Sequence, residues 1–417
     1  SIFSNRSKSL VFSMADKAVT PSVEKRHRRR AREFLSTVDT SLASTNKAAV
    51  SRCCNNLGFI EYPDGRDDGK PCNVYWFATF PHDFKSIVKS PQSLINRFPG
   101  LGELAKKVKL THALRAMQMI FPEEYSFYPR SFYLPADYDE FVAHLSSVSV
   151  PGSDDKPQFI VKPDEGAQGH EIYIIDDSSQ IRDITKRQLV QEYITNPFLM
   201  EDKLKFDFRV YAVLKSINPL EIYVSREGLA RFCTEEYEKP TVTKDTNFYS
   251  QLTNYSLNKV HSEYKHPSSR DDIYTAHKRP MSVVLKQMEK CGINPKRLWR
   301  EIKIIVVKTI IAMIPEIMIN YERWFFGCDA LQCFQLIGLD ILVRDDGVPM
   351  LLEVNASPSL TLDHIPEEGE RVRSIVDEVG VMSSPNMHIV HLCKLSTGPT
   401  RLRIAVIGES TQSYTPC

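Results

Sequence analysis

The spacing of apolar residues along this chain predicts several helices and strands. Over Leu101–Ile120 apolar residues recur every three or four positions, which predicts an amphipathic helix, and a second helical block is predicted over 280–319. The runs at 73–79 and 335–355 are typical of a strand and of a β-hairpin, and short strands are predicted to dominate 136–232. Because strands and helices do not alternate regularly, the pattern predicts an α+β fold rather than a doubly wound parallel sheet.

Changes in this pattern divide the chain into five segments. The first is poor in periodic apolar residues and ends in a basic run at 25–32, which predicts a disordered tail: a solvated arm, a nuclear-import signal or a contact for an acidic partner. The chain lacks an initiator Met and the apolar core of a signal peptide, so we expect that it begins within a longer product. The predicted segments are the tail at 1–36, an N-terminal lobe at 37–100, a central lobe at 101–195, a C-terminal lobe with the hairpin at 196–370, and an unassigned tail at 371–417.

The composition narrows the class of protein. The 417 residues include 53 Lys or Arg and 52 Asp or Glu, and the net charge of +1 gives no overall field that would attract nucleic acid. The nine cysteines form no C-x-x-C pair, so we expect reduced thiols rather than a zinc site or a disulfide scaffold. The most apolar run, Ile304–Ile319, contains Pro315 and is shorter than the ~20 residues of a membrane-spanning helix, which predicts a buried helix.

The hairpin sequence, LIGLDILVRDDGVPMLLEVNASP at 336–358, carries the strongest chemical signal. Asp346–Gly347 lies between two apolar runs and favours a two-residue type I′ turn. If these two residues form the loop, counting back along both strands places Asp340 opposite Glu353, with their Cβ atoms roughly 5 Å apart. Asn355 points to the same face as Glu353, because side chains alternate along a strand.

Two opposed carboxylates in otherwise apolar strands destabilise a hairpin unless something neutralises them. The oxygen ligands of Asp340, Glu353 and Asn355 suit Mg²⁺, which takes one or two carboxylates and completes its shell with phosphate oxygens and water. The alternative is an exposed sheet face on which one carboxylate is neutral. We favour the metal site, since an unpaired buried carboxylate is costly.

A second pattern, KFDFRVY at 205–211, alternates between charged and apolar residues. Its apolar residues are predicted to face the core, whereas the other face carries Lys205, Asp207 and Arg209. Such a strand is equally typical of a solvated surface. The strand-like run after it contains Arg231, which can share a face with Arg209. Two arginines opposite a metal-carboxylate site would form a clamp for phosphate or carboxylate.

Two polar stretches complete the candidate site. In FIVKPDEGAQG a strand leads to a loop with Gly166 and Gly169, which permits a lid over phosphates with Lys162 reaching in from the strand. A Walker loop and a dinucleotide fingerprint both need a helix after the glycines, so neither is expected here. The stretch LTNYS at 252–256 offers consecutive hydrogen-bonding side chains, which suit a small substrate or, equally, local turn capping.

Taken together, these segments resemble the tubulin–tyrosine-ligase-like family, and in particular its polyglutamylating branch. The resemblance rests on FPEEYSFYPRSF, FIVKPDEGAQG, VQEYI, KFDFRVY, GLARFCTEEY, LTNYS and the hairpin sequence, which follow the family's order and cover most of 37–365. It implies a multi-lobed ATP-grasp fold in which antiparallel sheets enclose ATP. It also implies ATP- and Mg²⁺-dependent addition of glutamate to glutamate side chains or glutamate chains of tubulin C-terminal tails, via an acyl phosphate.

The resemblance also implies a role for each candidate residue. Those implied to bind ATP are Lys162, Gln168, Gly169, the hinge residues Gln191, Glu192, Tyr193 and Ile194, and then Lys205, Phe206, Asp207, Thr253 and Asn254. Those implied to bind the incoming glutamate or the acceptor tail are Gln168, Arg231, Tyr255, Ser256 and Lys278. Catalysis is implied for Arg209 and Arg231, and Mg²⁺ binding for Asp340, Glu353 and Asn355.

The partners implied by the resemblance are free L-glutamate and microtubules, the latter through the acidic C-terminal tails of tubulin. The implied location is the cytoplasm and cytoskeleton, including cilia or basal bodies, and we expect a monomer without a nucleic-acid or membrane partner. The sequence departs from the family after Ser359, where Asp363 and His364 stand and an expected lysine is missing, and 381–417 matches nothing in the family.

Two alternatives keep part of this interpretation. A related glycylase or tyrosine ligase would share the ATP-grasp core, although Arg231 and Lys278 provide the additional cations that a glutamate side chain needs. A catalytically inactive microtubule-binding adaptor is the second alternative, and the intact set of Asp340, Glu353 and Asn355 argues against it.

Overall fold

A computed structural model of the chain describes residues 36–88, 90–149, 156–164, 171–240, 247–266, 272–326, 333–360 and, as backbone only, 403–407. Three groups of predictions lie outside these residues: the basic run at 25–32, the lid residues Gln168 and Gly169, and the departures from the family at 363–364 and over most of 371–417.

The first part of the described chain forms a small parallel sheet. Its strands are β1 (Thr37–Asp39), β2 (Ile60–Tyr62), β3 (Val74–Tyr75) and β4 (Leu94–Ile95), in the order β2-β1-β3-β4. The connections contain a 3₁₀ turn (Ser44–Asn46) and the helices α1 (Lys47–Leu57) and α2 (Phe84–Ile87). The strand predicted at 73–79 is thus reduced to the two residues of β3.

The helix predicted over 101–120 forms as two helices, α3 (Leu101–Leu104) and α4 (Lys107–Ile120). Between them Lys106 has an extended backbone, with φ −65° and ψ 147°, and this conformation interrupts the helical path. On α4 the buried residues Val108, Thr111 and Leu114 recur every three positions, so the predicted apolar face is confirmed.

An antiparallel sheet follows, in the order β5-β8-β6-β7. Its elements are β5 (Ser131–Leu134), α5 (Tyr138–Val148), β6 (Phe159–Pro163), β7 (Tyr173–Ile175), a 3₁₀ turn (Ser178–Gln180) and β8 (Gln188–Glu192). The helix α5 was not predicted in this stretch, over which short strands were expected to dominate. It is amphipathic, because Phe141, His144 and Leu145 form one buried stripe, and it covers the sheet through an apolar cluster with Phe132 and Phe159.

The largest sheet is built around one long central strand, β9 (Leu204–Ile217). One edge of β9 pairs with β10 and β11 in succession, and the other edge pairs with β13. All of these pairings are antiparallel, as are those of β11 with β12 and of β13 with β14. The other strands are β10 (Leu220–Ser225), β11 (Leu229–Glu236), β12 (Lys278–Pro280), β13 (Gln335–Val343), β14 (Pro349–Asn355) and β15 (Arg403–Ile407), which runs parallel to β10.

The helices of this part are α6 (Phe248–Gln251), α7 (Tyr255–Asn258), α8 (Met281–Lys290) and α9 (Pro295–Phe325), with a 3₁₀ turn at Asp272–Tyr274. The block predicted over 280–319 is therefore two helices. Gly292, at φ 91°, follows α8, and Asn294 caps α9 by accepting the Arg297 N–H at 3.0 Å.

The helix α9 contains the apolar run Ile304–Ile319, and one face of it is buried against the large sheet, so the prediction of a buried helix is confirmed for that face only. Its residues Ile302, Val306 and Ile310 belong to the same core cluster as Phe206 and Phe208 of β9. In the described residues, no helix combines the length and the apolar character that crossing a membrane requires. The fold is thus α+β, with antiparallel sheets in its central and C-terminal parts, and one face of the large sheet is left for the charged residues.

Candidate active site

The hairpin of β13 and β14 turns through a longer loop than predicted. Gly347 N donates to Arg344 O and Arg344 N donates to Val348 O, both at 2.9 Å, so three residues lie in the loop. Gly347 has φ 80°, the left-handed conformation that closes such a three-residue loop. The predicted two-residue turn at Asp346–Gly347 is therefore wrong.

The predicted pairing of carboxylates is nevertheless confirmed, because a second irregularity compensates for the longer loop. Near the loop Ile341 pairs with Leu351, but the next pair along is Asp340 with Glu353. Leu352 is the extra residue of a β-bulge, and it restores the alignment that the three-residue loop had shifted. Sequence reasoning thus reached the correct pair through an incorrect loop.

Neighbouring strands extend this pair into a row of charges across the sheet. Because β13 lies between β14 and β9, Asp340 pairs with Glu353 on one side and with Arg209 on the other. Opposed residues of antiparallel strands point to the same face. On the next strands the pairs are Asp207 with Arg231 and Arg231 with Lys278.

The two arginines bind the two aspartates in a buried network. Arg209 Nε lies 2.5 Å from Asp340 Oδ1, and Arg209 Nη2 donates to Asp340 Oδ2 at 3.0 Å. Arg231 bridges both aspartates: it binds Asp207 through Nε at 2.8 Å and Asp340 through Nη2 at 2.7 Å. Asp207 and Asp340 are each 2% exposed. The alternative of a solvated surface strand is therefore excluded.

The charges in this network perturb each other's protonation. Burial together with the neighbouring Asp340 carboxylate raises the pKa of Glu353 to about 7. Burial also acts to raise the pKa of Asp340, but the Arg209 and Arg231 guanidiniums outweigh it and hold that pKa below its usual range. Asp340 is thus ionised at neutral pH, whereas Glu353 is close to the midpoint of its titration.

This donor set fits a magnesium ion. The Asn355 amide lies within 3.5 Å of Asp340 Oδ2 and 3.3 Å of Glu353 Oε1, so three oxygen-bearing side chains converge. Among the described residues no cluster of three or more His, Cys, Asp or Glu side chains is arranged for a metal. Mg²⁺ needs no such cluster, since two carboxylates with phosphate oxygens and water satisfy it. A divalent cation would also keep Glu353 ionised, which its raised pKa otherwise opposes.

Two lysines, the half-buried Lys162 and the buried Lys205, lie near this acidic centre. Lys162 on β6 donates to Gln191 Oε1 at 2.7 Å, and the Gln191 amide donates to Ser131 Oγ at 2.9 Å. Lys205 on β9 donates to the Tyr193 hydroxyl at 2.7 Å and to Gln251 O at 2.9 Å. Burial lowers the pKa of both lysines to about 8, so each is still largely protonated at pH 7.

The predicted hinge, Gln191–Ile194, joins the end of β8 to the large sheet. Its backbone is held by Glu192 N, which donates to Arg130 O at 2.9 Å, and by Tyr193 N, which donates to Gln158 O at 2.8 Å. The Glu192 carboxylate lies 2.8 Å from His144 Nε2 on α5. Ile194 is half-buried. The hinge thus connects the two antiparallel sheets and carries the tyrosine that binds Lys205.

The polar stretch LTNYS lies beside the charged row. Thr253 donates to Asp207 Oδ2 at 2.7 Å, and the Asn254 carbonyl accepts the Asn258 N–H at 3.0 Å at the start of α7. Lys278 Nζ lies 4.7 Å from the centre of the Tyr255 ring. Ser256 is half-buried in α7. The stretch therefore caps a turn and also supports the aspartate, whereas its contact with a small substrate stays a prediction.

One predicted residue points away from the site. Phe206 is 2% exposed, and its ring stacks on Phe232 inside the core with 4.9 Å between ring centres. Two supporting residues, Ser131 and Gln251, were not predicted. Gln251 directly precedes LTNYS, so its position was a usable signal, whereas nothing in the local sequence distinguishes Ser131.

Comparison with known proteins identifies the family of this chain. Residues 85–368 match the profile described as "Tubulin-tyrosine ligase family", which is more than half of the chain. The chain belongs to the tubulin-tyrosine ligase family. The family resemblance inferred from the motifs is confirmed.

Curated relatives agree with this assignment. "Tubulin polyglutamylase ttll-11" of Caenorhabditis elegans is 54% identical over 351 residues, which are 82% of this chain and 50% of the relative. "Tubulin polyglutamylase TTLL11" of Homo sapiens is 43% identical over 351 residues, 82% of this chain and 48% of the relative. The Mus musculus protein of that name is 41% identical over 382 residues, which are 87% of this chain and 51% of the relative. The chain spans about half the length of these relatives.

Proposed function

We propose that this chain is the catalytic part of a tubulin polyglutamylase, an ATP- and Mg²⁺-dependent ligase with an ATP-grasp fold. The observation that carries the proposal is the buried network in which Arg209 and Arg231 bind Asp340 and Asp207 beside a third carboxylate, Glu353. A buried network of this kind contributes little net stability, so its presence supports a role in binding ligands. Relatives named tubulin polyglutamylase are 54%, 43% and 41% identical to this chain over the aligned residues.

The nucleotide would lie between the two antiparallel sheets. Lys162 and Lys205 are protonated donors, and their charges match phosphate oxygens, while the half-buried hinge around Ile194 offers backbone and apolar contacts for a base. Asp340, Glu353 and Asn355 would hold Mg²⁺, which when bound supplies positive charge to the phosphates. Gln168 and Gly169, outside the described residues, stay assigned to the lid.

The incoming glutamate would lie on the other side of the arginine pair. Arg231 and Lys278 are opposed in the sheet and provide two cations for its two carboxylates, with Tyr255 and Ser256 beside them. Glycine and tyrosine carry only one carboxylate. The pair of cations therefore favours glutamate over the glycylase and tyrosine-ligase alternatives.

The reaction needs positioning and charge stabilisation rather than a protein nucleophile. An acceptor carboxylate of the tubulin tail attacks the γ-phosphorus, and ADP leaves, which gives an acyl phosphate. The amine of the bound glutamate then attacks the acyl carbon, inorganic phosphate leaves, and loss of a proton gives the amide. Arg209 and Arg231 stabilise the negative charge that develops in both steps.

The experiment is incorporation of labelled amino acid into purified tubulin, analysed by mass spectrometry. Tubulin should gain glutamate only when ATP and Mg²⁺ are present, and glycine and tyrosine should not compete. The variants Asp340→Asn and Glu353→Gln should both lose incorporation, with Arg115→Lys, whose arginine binds Asp137 and Glu140 instead, as a control. Incorporation of glycine or tyrosine instead would favour the related ligases, and no incorporation despite ATP binding would favour the adaptor.

A further inference from the structure

A buried arginine of the N-terminal part contacts the segment that follows the acidic hairpin. Arg97, two residues after β4, is 6% exposed. Its Nε donates to Phe77 O at 2.9 Å, Nη1 donates to Ala356 O at 2.7 Å, and Nη2 donates to Ser357 Oγ at 2.8 Å. The planar guanidinium thus fixes two chain segments relative to each other, and all three acceptors are neutral oxygens. A planar fork of this kind is something that lysine cannot reproduce.

Ala356 and Ser357 directly follow Asn355, the last residue of β14. The Ala356 carbonyl also accepts a 2.7 Å hydrogen bond from Gln335 Nε2, and Gln335 Oε1 accepts the Phe98 N–H at 2.8 Å. Arg97 and Gln335 therefore hold the same carbonyl from two sides, and both depend on the segment after β4. The peptide that leaves the acidic hairpin is thus held by Arg97 from outside the hairpin and by Gln335 from its first strand.

A second residue of the N-terminal part extends this support. Asn46 donates through Nδ2 to Pro358 O at 3.2 Å and accepts the Leu360 N–H at 3.0 Å. It is 6% exposed. Three residues therefore hold the segment 356–360: Arg97 and Asn46, which lie more than 250 positions earlier in the chain, and Gln335 at the start of β13.

The contacts of Asn355 itself are too long to orient it. Its amide reaches Glu353 Oε1 at 3.3 Å and Asp340 Oδ2 at 3.5 Å, whereas N–H···O hydrogen bonds are commonly about 2.9–3.0 Å. The orientation of this side chain must then come from its backbone. On the C-terminal side that backbone is held first by the bonds to Ala356 O.

We propose that Arg97 is a positioning residue for the Mg²⁺ site. By holding Ala356 and Ser357 it sets the position of Asn355, and with it the distance between the Asn355 amide group and the Glu353 carboxylate. The inference rests on the proposed function only in its assignment of Mg²⁺ to this carboxylate pair. Groups that orient metal ligands typically alter metal affinity or activity by 10–100-fold when they are removed.

The test compares Arg97→Lys with Arg115→Lys in the whole chain, using Mn²⁺ as a spectroscopic substitute for Mg²⁺. Arg115 is also partly buried and hydrogen-bonded, to Asp137 at 2.5 Å and Glu140 at 2.9 Å, but it lies on α4 and contacts no residue of the hairpin. Arg97→Lys keeps the charge and removes the fork. We expect it to weaken Mn²⁺ binding about 10–100-fold in electron paramagnetic resonance titrations with an ATP analogue.

The readouts separate positioning from a general loss of stability. Arg115→Lys should lower the melting temperature without changing Mn²⁺ affinity, and excess Mn²⁺ should restore the metal-bound spectrum of Arg97→Lys. Equal Mn²⁺ affinity of the wild type and Arg97→Lys would overturn the proposal, and so would a wild type that binds no Mn²⁺. If Mn²⁺ binds as expected but tubulin gains no glutamate, the proposed function fails while the role of Arg97 stands.

Discussion

Replacement of Glu353 by Gln should abolish ligation and, without metal, stabilise the protein at alkaline pH. The pKa of Glu353 is raised from its ordinary value of 4.5 to about 7 by burial and by the Asp340 carboxylate. In the unfolded chain the group ionises near its ordinary pKa, so between these two pH values the folded protein binds more protons. The stability that this proton contributes is complete below pH 4.5 and is lost as the pH rises through about 7.

The magnitude follows from the size of the shift. Each pKa unit corresponds to about 1.4 kcal/mol, so ionising Glu353 in the folded protein costs about 3 kcal/mol as an upper bound, because the residue retains some solvent exposure. Gln cannot ionise and mimics the protonated acid. At pH 8 in EDTA, Glu353→Gln should therefore exceed the wild type in unfolding free energy by about 1–3 kcal/mol, and at pH 5 the two should differ little.

The assay is urea unfolding of both proteins at pH 5 and pH 8, with EDTA or with Mg²⁺ and an ATP analogue. Mg²⁺ should stabilise the wild type more than Glu353→Gln, since only the wild type offers both carboxylates. Asp340→Asn is the contrasting variant. It leaves Arg209 and Arg231 without their shared carboxylate and should cost about 3–5 kcal/mol at either pH. If Glu353→Gln keeps the pH dependence of the wild type, the assignment of the raised pKa to this group is wrong.

Two further predictions concern adjacent residues on opposite faces of β9. Lys205→Met should raise the KM for ATP at least 10-fold, which ATP titration measures. It should change the unfolding free energy, measured in urea, by less than about 1–2 kcal/mol, because it removes a buried charge together with the bonds to Tyr193 and Gln251. Phe206→Ala should lower the unfolding free energy by about 3–5 kcal/mol, since the Phe206 ring packs on Phe232. The KM for ATP of the folded fraction should stay unchanged. An increased KM would instead place the Phe206 side chain in the ATP site.

The local pattern of apolar and polar residues was sufficient to predict those elements whose contacts are close in sequence. The apolar face of α4, the burial of α9 and the charged face of β9 all follow from a period of three to four or of two residues. The helix α5 was missed because only three of its residues, Phe141, His144 and Leu145, form its buried stripe, and the preceding and following strands obscured that signal. Boundaries also failed where one residue, such as Lys106, leaves the helical conformation.

The hairpin shows how a correct pair can come from an incomplete argument. Turn chemistry favoured a two-residue loop, and that loop places Asp340 opposite Glu353. The three-residue loop closed by Gly347 would have moved the strands out of this alignment if Leu352 did not form a bulge. Bulges depend on the twist and packing of the whole sheet, so the sequence of the loop does not predict the bulge at Leu352.

Motifs along the chain identified the family and the residue types of the site, because short strings such as KFDFRVY and LLEVNAS carry the alternation that places charges on one face. The pairing of those charges depends on which strands become neighbours. Arg209 binds Asp340 across 131 positions, and Arg97 binds Ala356 across 259. Local propensities carry no information about contacts between such distant segments. These contacts form only when β13 packs beside β9 and when the N-terminal sheet packs against the end of the hairpin. The raised pKa of Glu353 arises from that packing, because burial and the fixed distance to Asp340 exist only in the folded protein.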